Sequence, residues 1–408
     1  MSNLSLKKVE LIAPAGSPAA LISAIDAGAD SVYFGVGNRN MRANIRNFSL
    51  DEFSDGVKRL HSAEKKAYLT LNTIIFEEEL PEIQQTLDKV AELNIDAVIC
   101  WDYAVIEECK KRNIPIHIST QASISNSTSA NYYKNLGAES VVLARECTLE
   151  QIIKIRKKTD IDIECFIHGA VCVAVSGRCF MSHFNTGHSA NRGDCHQPCR
   201  YPYHIKGMEN DIEFVVEKSS LLSPKDICTL PILDLLLDAG INKLKIEGRA
   251  RNADYVKTVT TAYRKAIDAY YTKTLNLPLK EKLTKSLKEV FNREFSQGFY
   301  LGRPIDEWAK DGNQATIKKT YLGKIKNFYS KINVLEILLQ TDNLKLGDEM
   351  MIIGKQCGAV EFTITSIEFE HKKITEAQKG TIVAVKTPFY KKFTKNDKVF
   401  LLNSIFDI

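Results

Sequence analysis

Residues 97–119 read AVICWDYAVIEECKKRNIPIHIS. A β-branched run at 97–101 passes into a helical pattern at 103–112, and a second apolar run follows at 116–119. Strand, helix and next strand within 23 residues make one parallel β/α unit, since parallel neighbours need a crossover of this length. On either side the same alternation gives strands at 9–13, 31–35, 67–72, 141–144, 163–167 and 243–247, eight in all. Helices are expected at 50–63, 80–93, 127–136, 149–157, 232–239 and 252–271, and Ser17-Pro18 marks a helix start before Gly28 stops it. Eight alternating units predict a closed (β/α)8 TIM-like barrel, with an open doubly wound sheet as the other arrangement. Chemistry then belongs at the C-terminal strand ends, where Asn72, Asp102, Gln121, Arg145, His168, Glu247 and Arg249 fall.

The loop after strand seven is the exception in length, running over 169–230. Between Cys165 and His204 the chain holds five of its ten cysteines and five of its eight histidines. Cys172, Cys179, Cys195, Cys199 and Cys228 are spaced C-x6-C-x15-C-x3-C-x28-C. Soft thiolates gathered in a reduced compartment point to a metal or cluster rather than to disulfides. Four of them suit a [4Fe–4S] cluster, and structural zinc, which favours paired short-spaced cysteines, is the competitor. Cys172, Cys179 and Cys195 belong to any ligand set. Cys228, just before Pro231, is taken as the fourth, on the strand-eight side of the mouth, with Cys199 as the substitute ligand. Cys100 and Cys165 lie in apolar runs and read as buried small hydrophobes. His183, His188, His196 and His204 sit in polar loop sequence and read as exposed. His168 could act as acid or base, or be a satisfied structural histidine; Glu247 and Arg249 could orient an anionic substrate or simply tie the rim.

The 408 residues are 44% apolar and 26% charged, an ordinary globular composition. No apolar h-region precedes residue 9 and no run reaches membrane-span length, so the chain reads as soluble and cytoplasmic. Charge is uneven: residues 313–408 carry 15 lysines against 10 acidic residues, while 1–312 are balanced. The pattern there turns to β-rich alternation. The expected organisation is a barrel over 1–275, a helical linker over 276–312 and a small basic all-β barrel over 313–408, a candidate RNA-binding module or a solvated lysine surface. Hydrolase motifs are missing: there is no H-E-x-x-H, and Val175-Ser176-Gly177 lacks the first glycine of a nucleophile elbow. A Cys/His protease pair, whose members need only meet in space, stays open.

Residues 164–182 (ECFIHGAVCVAVSGRCFMS) resemble the signature of the U-thirty-two, or collagenase-like, peptidase family. Resemblance continues at 10–16 (ELIAPAG), 42–49 (RANIRNFS), 119–122 (STQA), 191–193 (NRG), 197–200 (QPCR), 223–228 (SPKDIC) and 245–249 (KIEGR), covering nearly the whole barrel and the linker. The family name implies proteolysis; its better understood members imply hydroxylation without molecular oxygen, on tRNA uridine, on ribosomal RNA or in quinone synthesis. The resemblance implies a cluster on Cys172, Cys179, Cys195 and Cys228, and prephenate as a hydroxyl source. A barrel with a compact basic tail resembles the tRNA branch most. The expected function is therefore conversion of the tRNA wobble uridine to 5-hydroxyuridine, with tRNA, a small anionic donor and an electron donor or partner protein as partners. A collagenase-like peptidase, another RNA or a quinone substrate, and a zinc-holding RNA-binding protein are the alternatives.

Overall fold

The computed structural model describes residues 8–405 except 202, 204, 207–212, 215–218, 306 and 311, so the reading of His204 lies outside the described residues. Eight parallel strands follow one another: β1 (Glu10–Pro14), β2 (Ser31–Phe34), β3 (Lys66–Thr70), β4 (Ala97–Cys100), β5 (Ile116–Ile118), β6 (Ala138–Val142), β7 (Asp162–Gly169) and β8 (Lys243–Ile246). Each pairs with the next, and β8 pairs with both β7 and β1, which closes the barrel. The expected strand at 141–144 starts three residues earlier, because exposed Glu139 and buried Ser140 interrupt the apolar run that would have announced it. The helical layer comprises α1 (Pro18–Asp26), α2 (Leu50–Ser62), α3 (Leu80–Glu92), α4 (Tyr103–Lys111), α5 (Ser127–Asn135), α6 (Leu149–Arg156), α7 (Leu233–Asp238) and α8 (Ala253–Tyr271). Ser17 caps α1 ahead of Pro18, as read from the sequence, and Ser49 with Glu52 forms a capping box on α2.

The period-2 geometry of each strand sorts its residues between two environments. On β8, Leu244 and Ile246 join the large core between sheet and helices, while Lys243 and Lys245 point into the barrel. On β7, Cys165 and Ile167 face the helices and Glu164 faces inward to Lys245. A small apolar layer of Ile12, Tyr33, Tyr68, Ala97 and Ile99 fills the barrel between the two lysines. The interior is thus apolar at mid-height and charged at both ends. No helix among the described residues is long and apolar enough to cross a membrane.

The C-terminal part is an eight-stranded antiparallel sheet. It comprises β9 (Ile317–Tyr329), β10 (Val334–Leu339), β11 (Glu349–Gly354), β12 (Gly358–Thr363), β13 (Ile367–Phe369), β14 (Lys372–Ile374), β15 (Ile382–Lys386) and β16 (Lys398–Ser404). Their order is β12-β11-β16-β9-β10-β15-β13-β14. Val360 from one edge strand and Ile374 from the other pack on the same core, as in a sheet rolled toward a barrel. This unit docks on α1 and α8: the Ala359 amide donates to Ser23 Oγ (2.9 Å) and Lys257 Nζ donates to the Ala359 carbonyl (2.8 Å). Lys319 pairs with Asp254 at 2.7 Å, Lys355 with Glu52 at 3.4 Å and Lys391 with Asp26, so part of the tail's basic charge is spent on attachment.

Candidate active site at the barrel mouth

At the C-terminal strand ends a cavity opens among Tyr33, Arg42, Asn72, Gln121, Arg145, Cys172, Lys245, Glu247 and Arg249. Strand direction and alternation place them there: Lys245, Glu247 and Arg249 are alternate residues leaving β8, and Arg145 follows β6. Arg249 lies across the top of the barrel and donates to Asn40 Oδ1 (2.8 Å) and Thr70 Oγ1 (2.9 Å), both neutral. That close passage requires Gly35, since a Cβ there would sit 2.7 Å from Arg249 Nη1 and 2.8 Å from the Asn40 side chain. Arg42 pairs with Glu247 at 2.9 Å, and the Tyr33 hydroxyl donates to the Ile246 carbonyl (2.9 Å) and to Glu247 (3.3 Å). Lys245 pairs with fully buried Glu164 at 2.6 Å and lies 4.5 Å from the Tyr33 ring centroid. Arg145 stacks on Phe166 (4.2 Å) and donates to the Ala170 carbonyl (2.6 Å).

Four cations therefore face two carboxylates, Glu247 and Glu164. Burial alone would raise the Glu247 carboxyl, but Arg42, Arg145 and Arg249 bring it down to about 2, so it is ionised at neutral pH. Burial lowers Arg249 to about 10, leaving it charged. The buried Nε atoms of Arg42 and Arg145 find no partner among the described residues. Buried cations in excess, with unused donors, suit an anionic ligand whose carboxylates would complete the balance. Asn72 adds a neutral patch, donating to Ser119 Oγ at 3.0 Å and to Gln121 at 3.4 Å.

The long insertion forms a roof. Arg200 fixes it, donating to Ser223 Oγ (2.5 Å) and to the carbonyls of Pro224 (2.7 Å) and Val171 (2.5 Å), which draws Cys199 and Cys172 together. Arg192 donates to the Ile74 carbonyl (2.5 Å) and pairs with Glu79, whose carboxyl that contact lowers to about 2. Asn191 then holds the Cys179 amide at 2.8 Å, and Asn44 holds the Cys195 carbonyl at 2.8 Å. At Gly193 (φ +83°) a Cβ would meet the Asn40 carbonyl at 2.0 Å, so only glycine fits this seam.

The roof brings Cys172, Cys179, Cys195 and Cys199 within electrostatic reach of one another. Burial raises the Cys199 thiol, and thiolates at Cys172, Cys195 and Cys179 raise it further; Cys195 is raised by burial and by Cys172 and Cys179. Sulfurs around one tetrahedral zinc stand roughly 3.8 Å apart. Among the described residues no three of these sulfurs lie within 4.8 Å of one another. A cubane cluster takes a wider set, because each thiolate binds a different iron. Four thiols from one insertion are a soft donor set of the kind that holds an iron–sulfur cluster or zinc.

Two expected site residues stand elsewhere. Cys228 lies on a short strand, Asp226–Cys228, that runs antiparallel to the end of β7 and pairs Cys228 with His168. Its thiol is buried, pushed up to about 11 by that burial, and receives a 3.9 Å contact from the Tyr263 hydroxyl. Cys228, expected on the strand-eight side of the mouth, thus lies on a strand that reverses direction against β7, apart from the mutually interacting Cys172, Cys179, Cys195 and Cys199. His168 packs between β7 and α8, its ring 5.6 Å from Tyr263, 6.0 Å from Tyr255 and 5.4 Å from Phe295. Burial lowers it to about 3, so it is neutral and outside the cavity lining. Glu247 and Arg249 are in the mouth. Arg42, Arg145 and Lys245 were not singled out as ligands from the sequence; the signal for Lys245 was lysine at alternate positions of a wholly buried strand, K-L-K-I.

Residues 16–310 match the model of peptidase family U32. The chain belongs to this family. An uncharacterized protease of Methanocaldococcus jannaschii is 40% identical over 97% of this chain and 98% of its own. A collagenase of Porphyromonas gingivalis is 35% identical over 97% of this chain and 98% of its own. The tRNA hydroxylation protein P1 of Bacillus subtilis is 34% identical over 95% of this chain and 93% of its own. The family thus holds, at similar distance from this chain, proteins named for peptide cleavage and a protein named for RNA hydroxylation.

Proposed function

We propose that this chain hydroxylates the wobble uridine of tRNA to 5-hydroxyuridine without molecular oxygen, using prephenate as the hydroxyl source. The observation that carries the reading is a cation-rich mouth with Cys172 in its lining and Cys179, Cys195 and Cys199 near enough to act on one another's thiols; similarity to the Bacillus subtilis tRNA hydroxylation protein supports it. Cys172, Cys179, Cys195 and Cys199 would hold a [4Fe–4S] cluster, which when bound supplies one-electron redox chemistry. Arg42, Arg145 and Arg249 bind the donor's carboxylates, Arg249 as a rigid guanidinium held by Asn40 and Thr70. Glu247 stays ionised and aims Arg42 across the cavity. Lys245, with Tyr33 and Phe166 around it, adds positive potential from below. Asn72 and Gln121 offer amide groups to a nucleobase edge. The remaining exposed lysines of the C-terminal sheet contact the tRNA backbone.

The names of two relatives favour a peptidase as the second reading. Among the described residues, however, no histidine lines the cavity beside Cys172, Ser119 or Ser176 to serve as a nucleophile's base. In cells deleted for the native copy, Cys172→Ala should abolish 5-hydroxyuridine in nucleoside digests of tRNA, while wild type restores it. Undiminished 5-hydroxyuridine with Cys172→Ala sinks the proposal.

A further inference from the structure

We propose that His188, Asp194 and His196 form a binding site for one divalent transition-metal cation, zinc by its donors, separate from the four cysteines. His188 Nδ1 lies 2.5 Å from Asp194 Oδ2, and His196 Nε2 lies 3.5 Å from Asp194 Oδ1. The three ligand atoms lie within 4.8 Å of one another, the only such group of histidine, cysteine and carboxylate atoms among the described residues. The two imidazole rings stack with centroids 3.9 Å apart and planes 17° from parallel. Two imidazoles converging on one carboxylate form a borderline N2O donor set, matching zinc with a fourth position left to water.

The backbone builds this arrangement before any ion arrives. Gly187 (φ +77°) ends the helix Met181–Thr186 and turns the chain toward His188. The Arg192 and Asp194 amides donate to the Ser189 carbonyl (3.1 and 3.0 Å), and the Gly193 amide donates to the Ala190 carbonyl (3.1 Å). Those bonds close a loop that sets residues 194–196 against His188, and the His196 amide donates to Ser182 Oγ at 3.0 Å. A preorganised donor set avoids the ordering cost of binding. The His188 and His196 side chains are 47% and 39% exposed, so a cation can enter without opening the roof. Because Cys195 stands between Asp194 and His196, the ion would clamp the segment that presents this thiolate.

The test is zinc titration of the full chain purified without oxygen, in competition with a chromophoric chelator, with iron and sulfide measured on the same samples. Wild type should take up about one zinc per chain. His188→Ala and Asp194→Asn should weaken that uptake about 100-fold or more, given that loss of even an outer contact costs 10–100-fold. Cys172→Ser/Cys179→Ser should leave it intact. Cobalt in the same site should show ligand-field bands without thiolate charge transfer. Equal zinc uptake by wild type and His188→Ala overturns the proposal, and so does uptake that disappears with the cysteines instead.

Discussion

The two ends of the barrel are built from the same kinds of residue and differ in charge balance. At the floor, Lys243 lies 3.1 Å from His117 and 3.8 Å from Asp162, near the Tyr68 ring, while Tyr68 donates to Glu10 (2.5 Å) and Lys66 pairs with it (3.0 Å). The floor cavity is lined by four lysines and four carboxylates. At the mouth, two residues along the same strand, Lys245 repeats the arrangement with Tyr33 and Glu164, but three arginines are added and only Glu247 accompanies them. Charges withdrawn from water must be matched, or the unmatched form is disfavoured. A balanced cluster needs nothing further; an unbalanced one, held rigid under a cysteine roof, is prepared for an anion from outside. The floor is balanced and the mouth is not, although residue types alone do not tell them apart.

Breaking the balance on purpose should show the difference, with the largest effect in the pair that both keeps the mouth folded and lies deepest. Glu164→Leu leaves Lys245 charged, buried and alone, and should lower unfolding free energy by about 3–5 kcal/mol in urea titrations. Arg249→Met removes a mouth cation bonded only to neutral groups. It should weaken prephenate binding by roughly 100-fold in calorimetry, about 3 kcal/mol for a charged hydrogen-bonded contact. Lys243→Met at the floor should leave that affinity unchanged. Equal losses from both substitutions would dissolve the distinction.

A pH-dependent effect separates the mouth from the residue once expected there. Burial holds His168 neutral, at about 3. The unfolded chain takes up that proton below its ordinary value of about 6.5, while the native chain does not until near 3. The contribution of His168 to stability is therefore complete above pH 6.5 and declines as pH falls toward 3, by about 1.4 kcal/mol per pH unit. His168→Phe should flatten that part of the stability profile without altering tRNA modification. Loss of modification would return His168 to the chemistry.

The barrel was legible because eight apolar runs alternate with capped helices, and the pairing of β8 with β1 decides for closure over an open sheet. The concentration of cysteines was equally plain. Register and direction were not. Cys228 and Cys199 differ in whether a short strand turns back against β7, a choice set by Arg200, Asp226 and their partners across the insertion rather than by local pattern. His168 sits at a strand end, where sequence predicts chemistry, but a register shift between Lys245 and Ile246 accompanies its turn toward α8. Arg42 could not be placed because its loop position depends on Asn40, Gly193 and Glu247, residues far apart in the chain. The tail's lysine excess was visible, but its use in docking to Asp26, Glu52 and Asp254 was not.

The proposed ligand assignment gives the cluster Cys172, Cys179, Cys195 and Cys199 and leaves Cys228 out. Iron and acid-labile sulfide, measured on Cys199→Ser and Cys228→Ser purified without oxygen, test it most directly. About four irons and four sulfides per chain are expected in Cys228→Ser, as for a [4Fe–4S] protein, with marked loss of both in Cys199→Ser. A full cluster in Cys199→Ser with loss in Cys228→Ser would contradict it.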